Sequence, residues 1–177
     1  MTEVEVVEYD PRWPELAALA IAGLRAALPG VFVEAEHIGS TAVPGLAAKP
    51  VIDLMAAVGD FAEVEAGEGR LADLGYERHV NTMTDRLLYF GMAGGRRTSI
   101  LHVVSLESWP TRNQRILRDH LRGHPRDLER YAELKRRIAS SGVPLDDYTR
   151  AKTELIQEIT DRARAARGLP SVPVWEM

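Results

Sequence analysis

Residues 37–53 read His-Ile-Gly-Ser-Thr-Ala-Val-Pro-Gly-Leu-Ala-Ala-Lys-Pro-Val-Ile-Asp, the densest run of groups able to do chemistry in this chain. Gly39, Ser40 and Thr41 follow a β-branched, alternating segment, so a strand feeds a Gly-Ser-Thr turn. Backbone amides exposed at such a turn, with two hydroxyls beside them, form a cradle for phosphate. Lys49 adds a compact point charge. Asp53 is the one charged residue in the apolar run 51–58. A carboxylate in a buried strand must be paired, protonated or bound to a cation. The segment is not a Walker loop, which needs G-x-x-x-x-G-K-[ST]. Five residues separate Gly39 from Gly45, Lys49 is followed by Pro50, and a strand rather than a helix comes next.

Each of these residues also has a plain structural reading. Gly39 and Gly45 serve as ordinary turn glycines. Ser40 and Thr41 hydrogen-bond the loop backbone. His37 shares a period-two face with Val31, Val33 and Ala35, which makes it a core histidine when taken alone. His102 is flanked by Ile100 and Val104 in the same way. His120 and His124 fall near the ends of polar helices and read as surface residues.

The elements that must position this segment can be read from periodicity. Residues 4–7 suit a short leading strand. Asp10-Pro11 reads as an N-cap followed by proline in the first turn, opening a helix over 11–28 with Trp13, Leu16, Ala20, Leu24 and Leu28 inward. Strands are predicted over 31–38 and 51–58, joined by the Gly/Pro-punctuated loop 39–50. The run 51–58 is almost continuously apolar, as a buried interior strand is. A helix over 61–74, with Phe61, Val64, Leu71 and Leu74 inward, precedes strands at 76–80, 86–92 and 98–106; Gly94-Gly95 closes a hairpin between the last two. Helices follow over 110–122, 125–140 and 146–167, each with one narrow apolar stripe. Gly168 stops the last of them, and Val172, Val174 and Trp175 give the tail apolar anchors.

The chain has 177 residues, 22 Lys+Arg, 26 Asp+Glu, no Cys and a formal charge of −4. That size predicts one domain over 1–168, sheet-containing over 1–109 and helical over 110–168, with a tail at 169–177. The absence of Cys excludes disulfides, thiolate catalysis and any Cys-ligated metal. No apolar run approaches the roughly 20 residues of a membrane helix. The acidic start MTEVEVVEYD has no secretory pattern, so a cytoplasmic location is expected. Residues 110–167 carry 14 Lys+Arg against 9 Asp+Glu. That excess reads as a solvated helical surface, because too few aromatic residues interleave it for the succession of platforms that nucleic acid requires.

The chain resembles the GrpB family of the nucleotidyltransferase-fold superfamily. The resemblance rests on Val7-Glu-Tyr-Asp-Pro-Arg-Trp13, the whole segment His37–Asp53, Leu101-His-Val-Val104, Leu117-Arg-Asp-His-Leu-Arg122, Tyr131 with Leu134-Lys135, and Tyr148-Thr149 with Lys152. It implies an α+β fold: a nucleotidyltransferase-like mixed β-sheet flanked by helices, with a helical C-terminal third. Related domains occur fused to dephospho-CoA kinase, which hints at a coenzyme A or nucleotide context. The superfamily pattern is a Gly-Ser turn and, about ten residues on, Asp-x-Asp/Glu on a strand. Carboxylates at i and i+2 share one strand face and hold Mg²⁺ ions that bridge a triphosphate. Gly39-Ser40 and Asp53 match that pattern, but i+2 is Met55. His102 is the polar candidate for the third position, on the strand 98–106.

The resemblance therefore assigns Asp53 and His102 to catalysis and Gly39, Ser40, Thr41 and Lys49 to phosphate. A divalent metal (Mg²⁺ or Mn²⁺) would rest on Asp53; a set of Asp53, His102 and His37 would instead suit a transition ion such as Zn²⁺ or Mn²⁺. The expected partner is a small phosphate-bearing ligand, a nucleotide above all, with nucleic acid unfavoured, no membrane expected and the oligomeric state open. Two functions are compatible with this set: nucleotidyl transfer, or a nucleotide- or CoA-type binding module that has lost the metal carboxylates.

Overall fold

The computed structural model describes residues 5–142 and 152–174. They form two compact units: Pro11–Ala42 with Val51–Pro110, and Val43–Pro50 with the described residues of 1–10 and 111–177.

The first unit holds the sheet. Its helix α1 covers Trp13–Ala27, with Pro14 in the first turn and the chain leaving at Leu28. Strand β1 is Glu34–Ile38, shorter than the predicted 31–38. A single 3₁₀ turn, Ser40–Ala42, leads towards β2, Ile52–Val58. The predicted helix over 61–74 is two helices, α2 (Phe61–Ala66) and α3 (Glu68–Asp73), meeting at Gly67. A side chain at Gly67 would collide with Leu28, so this junction admits the end of α1 closely. Strands β3 (Tyr76–Arg78), β4 (Arg86–Ala93) and β5 (Arg96–Ser105) complete a five-stranded sheet of order β1-β2-β5-β4-β3. β2 and β5 run parallel and the other neighbours antiparallel, so the sheet is mixed, as predicted.

Cross-strand partners share a face, so the register sorts the side chains. One face carries Leu54, Ala56, Leu101, Val103 and Tyr89. The helices lie on it, since the Tyr89 hydroxyl donates to Glu68 of α3 at 2.7 Å. The opposite face carries Ile38, Met55, Ala57 and Val104, which form one apolar cluster with Trp109. Leu16 and Leu74, predicted inward, are exposed. On α1 the buried positions are Trp13, Ala17 and Leu24, so the buried stripe passes through Ala17 where the spacing points to Leu16.

The second unit is helical: α4 (Asn113–Gly123, after a 3₁₀ turn at Trp109–Thr111 that belongs mainly to the first unit), α5 (Pro125–Ser140) and α6 (Thr153–Ala165). Their apolar stripes meet in one core, Leu117, Leu121, Tyr131, Ala132, Ile156 and Ile159, to which the loop 43–50 adds Val43 and Leu46. Val7 and Ala48 form a two-bond antiparallel bridge in place of a leading strand. Val174 joins the core, so the tail docks as its apolar anchors predict. Trp175, Tyr148 and Thr149 lie outside the described residues.

Many of the basic residues of this unit are locally neutralised. Arg130 and Arg162 reach Glu158 and Asp127, Arg136 reaches Glu8, and Arg118 and Arg167 reach Asp119. Among the described residues no helix is long and apolar enough to cross a membrane.

Candidate functional site

The site is built where β1 ends. Gly39 has φ +74°, a left-handed conformation that L side chains avoid, and this turns the chain sharply out of the sheet. The 3₁₀ turn closes with the Ala42 amide donating to the Gly39 carbonyl at 3.1 Å. The amides of Ser40 and Thr41 take no part in that closing bond.

Asp53 lies against this turn. It pairs with Ile38 in the register, and a Cβ placed on Gly39 would sit 2.6 Å from Asp53 Oδ2 and 3.1 Å from its Cγ. The carboxylate therefore rests over the glycine's bare α-carbon, and Gly39 is needed twice, for its dihedral and for its missing side chain. Asp53 is half-buried rather than sealed in the sheet.

His102 is on the same face as Asp53. In the parallel β2–β5 ladder Asp53 pairs with Ile100 and Met55 with His102, so the histidine stands on the adjacent strand, one step further along. His37 is not brought to this group. It pairs with Leu54, which places it on the helix-covered face, and its Nε2 lies 2.8 Å from Thr41 Oγ1 in a hydrogen bond. The set Asp53, His102 and His37 is thus divided between two faces by the strict alternation of a strand. Among the described residues no group of three His, Cys, Asp or Glu side chains is placed to hold a metal ion.

Thr41 is buried and its hydroxyl is engaged by His37, so it braces the turn from behind. Ser40 is half-buried. Lys49 belongs to the other unit, where it is half-buried next to the Val7–Ala48 bridge.

Sequence reading missed Glu36. It pairs directly with Met55, which puts a second carboxylate on the Asp53 face, on β1 rather than at i+2 of β2. The alternation Glu34, Glu36, Ile38 carried the signal, but Val31 and Val33 drew attention to the other phase of the strand. His120 also departs from expectation. Its side chain is mostly buried, its Nε2 lies 2.7 Å from Asp127 Oδ2, and its ring stacks on His124 at 3.7 Å. Burial holds the Asp127 carboxyl up, but hydrogen bonds from Arg162 and His120 outweigh it and bring it down to about 2.

Comparison with known proteins agrees with this architecture. The chain is 38% identical over 177 aligned residues to a UPF0157 protein of Pseudomonas aeruginosa, covering 96% of this chain and 71% of that one. It is 34% identical over 163 residues to a UPF0157 protein of Halalkalibacterium halodurans, covering 92% and 83%. A dephospho-CoA kinase of Mycolicibacterium paratuberculosis is 36% identical over 78 residues, 42% of this chain and 19% of that one. The crystal structure of the conserved protein GrpB from Enterococcus faecalis superposes with a TM-score of 0.85 at 28% identity, over 93% of this chain and 99% of that one. A distant likeness, with a TM-score of 0.46 at 13% identity, joins 73% of this chain to 44% of a cytoplasmic RNA terminal U-transferase. The GrpB protein family matches residues 3–162, and the chain belongs to that family.

Proposed function

We propose that the turn at Gly39–Ser40, with Asp53 against it, binds the phosphates of a nucleotide or of another phosphate-bearing ligand. The observation that carries this reading is the Asp53 carboxylate resting over Gly39. A carboxylate and a phosphate repel each other at one turn unless a cation lies between them. A divalent ion such as Mg²⁺ or Mn²⁺ suits that place. Asp53 would hold it, with ligand phosphate oxygens and water completing the shell, as Mg²⁺ is commonly held. The bound ion would supply charge neutralisation of the phosphates. The chain's own parts do the rest: Gly39 lets the backbone approach, the Ser40 and Thr41 amides would donate to the anion, and His37 fixes the turn through Thr41. His102, one step from Asp53, is the group that could move a proton in nucleotidyl transfer. The likeness to part of a dephospho-CoA kinase makes coenzyme A a ligand to include, and a cytoplasmic setting fits such ligands.

One observation favours binding without transfer. Met55, where the pattern asks for a second acid, is fully buried in the apolar cluster with Ile38 and Trp109. A thermal-shift panel of nucleotides, coenzyme A and divalent metals, on the wild type and Asp53→Asn, separates the two. Stabilisation by nucleotide that needs Mg²⁺ or Mn²⁺ and is lost in Asp53→Asn supports the metal-dependent site. Stabilisation that needs no metal and survives Asp53→Asn supports the binding module. No ligand moving the wild type would sink both.

A further inference from the structure

The face that carries Asp53 ends, on the β4 side, in a stack of three side chains. Arg97 lies over the Phe90 ring, 3.6 Å from its centroid. His79 stacks on the same ring at 4.4 Å and 26°. The stack is built by a β-bulge. Gly91 pairs with Ser99 but Met92 pairs with Arg97, so Thr98 is an extra residue on β5. Without it, alternation from Ser99 would send Arg97 to the helix-covered face; the bulge re-aims it onto Phe90. The His79 amide, donating to the Leu88 carbonyl at 2.8 Å, anchors His79 beside β4.

We propose that Arg97, Phe90 and His79 form the nucleobase end of the ligand site, the base stacking on the exposed guanidinium of Arg97. This rests on the reading that phosphates bind at Gly39–Ser40. Phe90, Ile100 and Asp53 occupy one cross-strand row. Two interstrand steps separate Phe90 from Asp53, about 10 Å at about 4.8 Å each. One nucleotide reaches from base to phosphate over that span. Arg97 and His79 are exposed while Phe90 is half-buried, so the planes open to a ligand are those of the guanidinium and the imidazole. Both stack on bases. Arg97 makes no ion pair among the described residues, unlike Arg78, Arg86, Arg130 and Arg162 of the same chain. A single stack fits one base; a strand of nucleic acid needs several platforms in succession.

Calorimetric titration of the full chain in Mg²⁺ tests this, using ATP, UTP, tripolyphosphate and a short oligonucleotide. The variants are Arg97→Ala, an exposed change that leaves the sheet intact, and Phe90→Leu, which keeps apolar cover but removes the ring. Circular dichroism checks that each is folded. Each variant is expected to bind the nucleotides roughly tenfold more weakly, the scale of one base stack, and tripolyphosphate unchanged. Nucleotide binding equal to wild type in folded Arg97→Ala overturns the proposal. So does wild-type protein that binds tripolyphosphate as tightly as ATP and UTP. Both results leave the phosphate site standing. Tighter binding of the oligonucleotide than of either mononucleotide overturns the single-base site in favour of a strand. No binding of any of these ligands removes the phosphate reading, and this one with it.

Discussion

Replacing Gly39 by Ala tests the geometry at the heart of the site. Alanine at φ +74° is strained by about 1–2 kcal/mol. Its methyl would also lie 2.6 Å from Asp53 Oδ2, 3.0 Å from Asp53 Cβ and 3.1 Å from Asp53 Cγ. Asp53 sits on a strand bonded on both sides, so the backbone cannot retreat, and overpacking of this kind costs about 1–3 kcal/mol. The variant should lose about 3 kcal/mol, a fall in Tm of roughly 6–12 °C for a chain of this size. Chemical unfolding of a double-mutant cycle isolates the contact. In an Asp53→Ala background the carboxylate is gone and only the Cβ contact remains, so Gly39→Ala should cost about 1–2 kcal/mol less there. Equal costs in the two backgrounds, within about 0.5 kcal/mol, would refute the placement of Asp53 over the turn.

Other outcomes follow from the same structure. Asp127 titrates at about 2 instead of 3.8, so its contribution is present above pH 4 and is lost as pH falls from about 4 to about 2. Urea unfolding across that window should show the wild type losing roughly 1–2 kcal/mol more than Asp127→Asn, allowing for the solvent around Arg162. Gln157 clamps the tail, its Nε2 donating to the Val172 carbonyl and its Oε1 accepting from the Val174 amide, both at 3.0 Å. Gln157→Ala should therefore speed hydrogen exchange at Val174 while leaving exchange in the sheet unchanged. Leu101 is fully buried on the helix-covered face of β5, and Leu101→Ala should destabilise by about 2–5 kcal/mol in the same unfolding assay.

Much of the fold is legible because its signals are local. β-Branched residues marked β5, Gly94-Gly95 marked its hairpin with β4, and the apolar run 51–58 marked an interior strand. Trp13 and Trp109 are buried as aromatic core residues should be. Errors arose where a distant contact overrules the pattern. The predicted helix over 61–74 divides at Gly67, a residue whose missing side chain leaves room for Leu28. Leu16 is apolar at helical spacing yet exposed, because the buried stripe of α1 runs through Ala17. His120 read as a surface residue because its partner, Asp127, stands on the next helix.

By itself, the sequence determined the composition of the candidate site: a Gly-Ser-Thr turn, one aspartate on an apolar strand, a methionine two residues on, and no cysteine. Those are facts of residue type and short spacing, and they limit any metal chemistry without reference to coordinates. Only the tertiary structure decided which of these groups face one another. The register put Asp53, His102 and Glu36 on one face and His37 on the other, and the bulge at Thr98 carried Arg97 onto the face of Asp53. The reason is the two-residue period of a strand. A shift of one residue in pairing sends every side chain to the opposite face, and pairing is settled by partners far away in the chain.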